Sequence, residues 1–311
     1  MGKFKTLLLL VVMLAVPAVA LADARNVPGN ANWYFYVDLK QMRSGGPGTA
    51  VYNWLRDEVM DEIEEDAGID VEKEIDRITS YSSGDDGAVL VVDGKLSQET
   101  RDIIMAFIAS GGDITPLKSD GRTYYHFGGD ESIDEDVVYD AGNVGIKIDS
   151  LGEESWISMA IKDKVIITST EDHMKALLDN KGRVKGSRSV DGSLMVLTAE
   201  KTLVQAGMKS GMLGEEDWDS NILRNTEQVA FLISAAANKL ALEAKLITKE
   251  AEMAESMASV ARGIISLMSF DDEMDAELAA MLQGTRIEAK GNNLSFSLAV
   301  DPDLVVATLG E

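Results

Sequence analysis

Apolar and polar positions recur with two different periods along this chain, and the two periods predict strands and helices. WYFYVDL (33–39) is dense in β-favouring residues and predicts a buried strand. Residues 49–67 instead predict an amphipathic helix that ends at Gly68. Its apolar positions recur every four residues, at Val51, Leu55, Val59 and Ile63, and acidic residues occupy the opposite side.

The rest of the first half predicts two hairpins and two helices. In chain order these are a hairpin of strands 78–83 and 88–96, a helix at 97–110, β character at 122–127, a hairpin of 155–161 and 165–170, and a short helix at 172–178.

The second half predicts the same kinds of element in the same order. They are a strand at 193–200, a helix at 201–209, a hairpin of 229–235 and 239–247, a long helix at 248–270, a further helical segment at 271–284, a hairpin of 285–290 and 294–300, and a last helical turn from Pro302.

This shared order predicts an internal duplication. LVVDGKL (90–96) aligns with LALEAKL (240–246), and an acid stands at the same place in both, Asp93 and Glu243. The predicted fold class is α+β, with two similar units that are each a mainly antiparallel sheet covered by helices on one face.

The predicted domain boundaries follow from this plan. The first unit covers 23–181 and carries an acidic insertion at 128–152, and the second unit covers 193–311. Residues 182–192 (GRVKGSRSVDG) are rich in glycine, serine and charge, which is typical of a linker.

The first 22 residues predict a signal peptide. Lys3 and Lys5 precede a short apolar run, and Ala20-Leu21-Ala22 offers a cleavage pattern of small residues. The apolar run is shorter than a bilayer-spanning helix and Pro17 interrupts it. We therefore expect cleavage after Ala22, a periplasmic or secreted protein, and no transmembrane segment after cleavage.

Composition removes several classes of chemistry. The chain has no cysteine, so thiol catalysis, iron–sulfur clusters and zinc–thiolate sites are excluded. It has 53 acidic residues against 29 Lys and Arg, a net charge of −24, which disfavours nucleic acid as a partner.

The glycine-rich stretch MRSGGPGT (42–49) invites comparison with a phosphate-binding loop. It lacks both the GxxxxGK[ST] and the GxGxxG pattern, and Pro47 removes one backbone donor. We therefore interpret it as a turn that leads into the helix at 49–67, and we predict no cofactor site.

The two histidines, His126 and His173, do not form a recognisable catalytic or metal-binding motif. HExxH spacing is absent, and no GxSxG nucleophile turn is present. No catalytic, cofactor-binding or metal-binding residue is therefore predicted.

The acidic insertion leaves one metal hypothesis open. Six carboxylates stand close together there, those of Asp130, Glu131, Asp134, Glu135, Asp136 and Asp140. Calcium prefers such oxygen ligands, but the EF-hand order is missing, and a solvated loop is the alternative.

Methionine is frequent, with 15 residues, and five cluster late in the chain at Met253, Met257, Met268, Met274 and Met281. Small and apolar residues share the same helical stretch at three- and four-residue steps. Flexible methionines suit a binding groove. The alternative is that this helix packs on its own sheet.

In pattern, the chain resembles exported bacterial proteins of unknown activity. They open with a signal peptide and an apolar strand that ends in VDL, as here at 37–39. They continue through a segment like GIDVEKEIDRITSY (68–81) into a hairpin like DGAVLVVDGKL (86–96). The resemblance implies export and a repeated strand-helix-hairpin-helix pattern, and it implies no catalytic residues.

The leading functional hypothesis is an exported, non-catalytic binding protein whose partner is an unknown protein or cell-envelope ligand. Its contacts would be sheet edges, the methionine-rich helices or the acidic insertion. Two alternatives stay open: a periplasmic hydrolase that uses paired carboxylates, and a calcium-responsive module.

Overall fold

The computed structural model describes seven stretches of the chain: 31–82, 87–110, 114–128, 154–183, 192–201, 226–268 and 276–309. Outside them lie the predicted signal peptide, residues 129–152 of the predicted insertion, most of the predicted linker and residues 202–209 of a predicted helix. The described residues divide into two compact units. The N-terminal unit comprises those within 23–40 and 52–189, and the C-terminal unit those within 41–51 and 190–311.

The N-terminal unit contains seven described strands, and every pairing within it is antiparallel. They are β1 (Trp33–Asp38), β2 (Ile75–Ser82), β3 (Ala88–Gly94), β4 (Ile114–Ser119), β5 (Arg122–Gly128), β6 (Glu154–Ser158) and β7 (Lys164–Thr168). Their order in the sheet is β1-β2-β3-β7-β6-β5-β4.

The helices of the first half include the amphipathic helix that the periodicity predicts. They are α1 (Leu39–Arg43), α2 (Gly48–Leu55), a π-helical turn (Arg56–Met60), α3 (Asp61–Ala67), α4 (Val71–Glu74), α5 (Gln98–Ser110) and α6 (Glu171–Asp179). The π-helical turn interrupts the predicted helix in its middle, and Gly68 ends it in the left-handed conformation, with φ of 68°.

Helices pack on both faces of the N-terminal sheet, which corrects the prediction of one covered face. Ile104 and Ile108 of α5 pack with Tyr125 and the buried Ile157. Adjacent strand residues point to opposite faces, so Tyr124 lies on the other side. Its hydroxyl donates to Oε1 of Glu171 in α6 at 2.6 Å. The strands are apolar on both sides, so each face needs a cover.

The C-terminal unit contains five described strands, again paired antiparallel. They are β8 (Ser193–Glu200), β9 (Thr226–Ala236), β10 (Lys239–Thr248), β11 (Arg286–Lys290) and β12 (Asn293–Val300), in the order β8-β9-β10-β12-β11. Three further helices are α7 (Ala251–Met268), α8 (Ala276–Gln283) and α9 (Pro302–Leu309).

The core of the C-terminal unit follows from the alternation along β10. Leu240, Leu242, Ala244 and Leu246 are all buried and stand opposite Val300, Leu298, Phe296 and Leu294 of β12. The alternate positions of β10 include Glu243 and Lys245, which are only half-buried. One face of this sheet is therefore apolar, and α7 packs on its strands β10, β11 and β12.

Segment 41–51 groups with the C-terminal unit, although it comes from the first half of the chain. A Cβ on Gly48 would lie 3.1 Å from Cα of Met42 and 3.2 Å from Cδ1 of Leu194. This close approach is made within the C-terminal unit. The predicted assignment of the whole of 23–181 to one unit differs at this segment.

At the level of fold class, the structure agrees with the sequence. It is an α+β protein with a large antiparallel sheet and several helices. Hairpin turns lie at Ala237-Asn238 and at Gly291-Asn292, where the sequence predicts them. Strand β4 is present in addition to the elements that the sequence pattern predicts.

Candidate interaction surface

Helix α7 is fixed at its start by a buried threonine. The hydroxyl of Thr248 donates to the carbonyl oxygen of Glu250 at 2.8 Å and lies 3.0 Å from that of Asn292. Its backbone N–H also donates to the carbonyl oxygen of Asn292, at 2.8 Å. Thr248 therefore ties the end of β10 and the entry into α7 to the β11–β12 turn.

The inner face of α7 is built from small residues. Ala254 and Ala258 are completely buried, and Met268 is buried at the C-terminal end. Ala261 and Ile265 continue the same side and are half-buried. Because alanine has only a methyl group, this side of the helix can lie close to the strands beneath it.

A single arginine joins the middle of α7 to strand β11. Nη2 of Arg262 donates to the carbonyl oxygen of Ile287 at 3.0 Å. With Thr248 at the start and Met268 at the end, α7 is held along its full length. The direction in which its remaining side chains point is therefore set by the fold.

The outer face of α7 carries an apolar stripe that is open to solvent. Val260 is 56% exposed, Ile264 37% and Leu267 74%. These positions are spaced at i, i+4 and i+7, which places them on one side of a helix. Among the described residues only one other large apolar side chain is exposed, that of Ile63 at 38%. We call Val260, Ile264 and Leu267 the α7 stripe.

Small polar residues border the α7 stripe. The hydroxyls of Ser256 and Ser259 donate to carbonyl oxygens of their own helix, those of Glu252 and Glu255, at 2.8 and 2.9 Å. Gly263 is exposed, and a Cβ placed on it would meet nothing within 4 Å. The side chains that border the stripe are therefore small.

The methionines of the predicted cluster are buried or half-buried where the structure describes them. Met253 and Met257 are half-buried in α7, Met268 is buried, and Met281 is half-buried in α8. Met274 lies outside the described residues. The large apolar side chains of α7 that are classed as exposed are those of Val260, Ile264 and Leu267, which lie on the same stretch as the methionines.

The glycine-rich stretch forms a turn whose glycines have local structural reasons. Gly45 and Gly46 have φ of 115° and 74°, a region that favours glycine. The turn borders a depression of about 260 Å³ in the C-terminal unit, lined by Gly46, Pro47, Ala50, Asn238, Asp301, Pro302 and Asp303. Two carboxylates line it, and no cationic side chain does, so the depression is poorly suited to phosphate.

The two histidines occupy different settings in the N-terminal unit. The ring of His126, in β5, lies 4.9 Å from that of Trp156, and its Nε2 is buried without a hydrogen-bond partner among the residues that the structure describes. His173 lies in the first turn of α6, where its Nδ1 is 3.0 Å from Oγ1 of Thr170. That same hydroxyl accepts from the His173 backbone N–H and caps the helix.

A polar cluster joins α6 to β5. Glu171 accepts a hydrogen bond from Tyr124 and forms an ion pair of 2.7 Å with Lys175. Lys175, and then Tyr124, hold the pKa of Glu171 below its usual value. Burial, followed by the contact with Glu171, raises the pKa of Tyr124 to about 12. The cluster therefore links helix α6 to strand β5.

The six carboxylates of the predicted calcium hypothesis, from Asp130 to Asp140, lie outside the described residues. Among the residues that the structure describes, no group of three or more His, Asp or Glu side chains is placed to hold a metal ion. No described helix combines the length and the apolar character needed to cross a bilayer.

Comparison with known proteins gives structural likeness only. No family model matches this chain, and no curated protein matches it. The solved structures that align with it include three crystal forms of TP0453, at 9–12% sequence identity. Each alignment covers 94% of this chain and 97–98% of the other, with TM-scores of 0.44 for form III, 0.46 for form IV and 0.43 for form I.

Proposed function

We propose that this chain is a non-catalytic binding protein and that the α7 stripe is its contact surface. The observation that carries the proposal is the concentration of exposed apolar side chains. Three of the four large ones among the described residues stand on one side of one helix. Single exposed apolar residues are common in proteins, whereas a contiguous group is typical of an interaction site.

The rigidity of α7 supports the same proposal. Its inner side is anchored by Ala254 and Ala258, and Arg262 joins it to β11. A contact surface on a firmly held helix loses little conformational entropy on binding, because its backbone is already ordered. The α7 stripe is thus suited to recognition without rearrangement.

Export belongs to the proposal as well. The cationic start, the apolar run and the Ala20-Leu21-Ala22 pattern support cleavage after Ala22 and a periplasmic or secreted location. N-terminal sequencing of the chain isolated from the cell envelope or medium tests this. We expect it to begin at Asp23, and a chain that retains Met1 would contradict cleavage.

Internal duplication also belongs to the proposal. The N-terminal unit contains the strand order β1-β2-β3-β7-β6, and the C-terminal unit the order β8-β9-β10-β12-β11. Leu90 of β3 stands opposite Ile167, and Leu240 of β10 opposite Val300. The hairpin β4–β5 would then be an addition to the first copy. Superposition of experimentally determined units tests this, and we expect 90–96 to fall on 240–246 without a register shift.

The experiment for the binding function is affinity capture from a cell-envelope extract with the full chain. A triple variant, Val260→Ser with Ile264→Gln and Leu267→Gln, removes the stripe, and Ile63→Gln is the control. We expect a component that the native chain and the control retain and the triple variant releases. Repeated failure to retain any protein, lipid or cell-wall component would contradict the function, as would retention by all three chains.

A further inference from the structure

We infer that the partner of the α7 stripe is a cationic amphipathic helix of another protein. This inference rests on the proposed function and adds the chemistry of the occupant. Its basis is the combination, on one side of α7, of an apolar stripe, a border of small residues and unpaired carboxylates.

The shape of the outer side suits a helix. Ser256, Ser259 and Gly263 follow one another at steps of three and four residues, so they form a line along the helix beside Val260 and Ile264. Small residues in such a line let a second backbone approach closely, and neighbouring large residues pack on either side of it. An incoming helix with apolar residues at i, i+4 and i+7 would match the α7 stripe.

The charges near the stripe favour a partner with positive charge. Glu252 and Glu255 lie in the N-terminal half of α7, are exposed, and have no cationic partner among the described residues. Steps of four and seven residues bring Glu252 onto the side of Ser256 and Ser259. A partner helix lying along α7 would meet carboxylate charge at this end, and lysine or arginine there would neutralise it.

The charge of the whole chain argues against two other occupants. At a net charge of −24, a second copy and an anionic lipid surface would both be repelled. A cationic partner is attracted to the chain by the same field, and Glu252 and Glu255 add local attraction beside the stripe. Apolar contact then supplies most of the affinity, while the carboxylates supply orientation and rate of association.

The experiment measures binding of designed peptides to the full chain by fluorescence anisotropy. The probe is an 18-residue helix of leucine, alanine and lysine with leucine at i, i+4 and i+7. The controls are a scrambled peptide of equal composition and a twin with glutamate in place of lysine. We expect only the cationic amphipathic peptide to bind tightly. Leu267→Gln should weaken it about tenfold, since a fully buried leucine is worth about that factor or more.

The carboxylates are tested by Glu252→Gln together with Glu255→Gln. This double variant should weaken binding about threefold at low ionic strength, and the difference should shrink as salt is added. Ile63→Gln should bind like the native chain. Equal binding of native and Leu267→Gln chains, or of the scrambled peptide, would overturn the inference in favour of non-specific charge attraction.

Two further measurements identify other occupants. Sedimentation that reports a dimer of the native chain but a monomer of Leu267→Gln would assign the stripe to a second copy. Flotation with zwitterionic vesicles that depends on Leu267 would assign it to lipid. Either result overturns the inference but leaves the stripe as a contact surface. If the native chain and the triple variant retain the same components from the envelope extract, that result would instead contradict the proposed function itself.

Discussion

The guanidinium of Arg262 in α7 donates a hydrogen bond to the carbonyl oxygen of Ile287 in β11, the strand at the end of the C-terminal strand order, at 3.0 Å. Ile287 stands opposite Phe296, and three residue pairs separate this pair from the two-residue turn at Gly291-Asn292. In such a hairpin this pair exchanges no backbone hydrogen bonds, so the Ile287 carbonyl points outward from β12. Arg262 thus satisfies an edge-strand acceptor and holds α7 in place.

We expect Arg262→Ala to lower the free energy of unfolding by about 1–2 kcal/mol, the contribution of a hydrogen bond from a charged donor. Urea denaturation followed by circular dichroism measures it. Arg286→Ala is the control, because that residue is largely exposed and pairs with Glu288 within its own strand. The control should change stability by less than about 0.5 kcal/mol. Equal effects of the two substitutions would contradict the role given to Arg262.

Gly94 at the end of β3 allows a close backbone approach. A Cβ there would lie 1.9 Å from the carbonyl oxygen of Glu74 and 2.9 Å from Cα of Ile75. Since backbone atoms cannot move aside cheaply, Gly94→Ala should cost about 2–3 kcal/mol of unfolding free energy. Urea denaturation measures it, and a variant as stable as the native chain would show that this contact is not made in solution.

Substitution of Gly263 by alanine should stabilise the protein, in contrast to the same substitution at Gly94. It lies inside α7, and a Cβ there meets nothing within 4 Å. Alanine is a better helix former than glycine, so Gly263→Ala should raise the free energy of unfolding by about 0.5–1 kcal/mol. The same denaturation assay serves. A destabilised variant would mean that another group already occupies the space above Gly263.

Glu171 gives a pH dependence with a definite sign. Lys175, and then Tyr124, hold its pKa below the usual value of 4.5 in the folded protein. A depressed folded pKa stabilises the fold above the unfolded value and loses that contribution as pH falls through the folded value. The stability lost in Glu171→Gln should therefore be largest near neutral pH and shrink below about pH 4.5.

Thermal unfolding at a series of pH values measures this difference. Glu99→Gln is the matched control, because Glu99 stands in the first turn of α5, is exposed and forms no side-chain hydrogen bond with any described residue. We expect its difference from the native chain to be small at every pH. A Glu171→Gln difference that stays constant down to pH 3 would contradict the ionic role of Glu171.

Local sequence patterns determine most of the elements. Apolar alternation predicts β10 and its turn at Ala237-Asn238, and helical spacing predicts α7. Strand β4 (Ile114–Ser119) escapes prediction because Pro116 and few apolar residues weaken its pattern. Its place at the end of the strand order in the N-terminal sheet explains why proline is tolerated there.

The sequence predicts the apolar helix of the candidate site but not which of its sides is exposed. Apolar residues on α7 extend around more than half of the helix, so the pattern alone does not say which arc faces the sheet. The structure resolves this through Ala254 and Ala258, whose small size allows the close approach. The alternation of Ser256, Ser259 and Gly263 with the apolar residues is the signal that could have marked the outer side in advance.

The most direct test of the central claim compares two isoleucines of nearly equal exposure, Ile264 at 37% in the α7 stripe and Ile63 at 38% in α3. Glutamine at either position keeps a good helix former and should leave stability unchanged within about 0.5 kcal/mol. The affinity for the retained envelope component is measured by titration. It should fall about fivefold or more in Ile264→Gln and stay unchanged in Ile63→Gln. Equal affinities of the two variants would contradict the assignment of the α7 stripe as the contact surface.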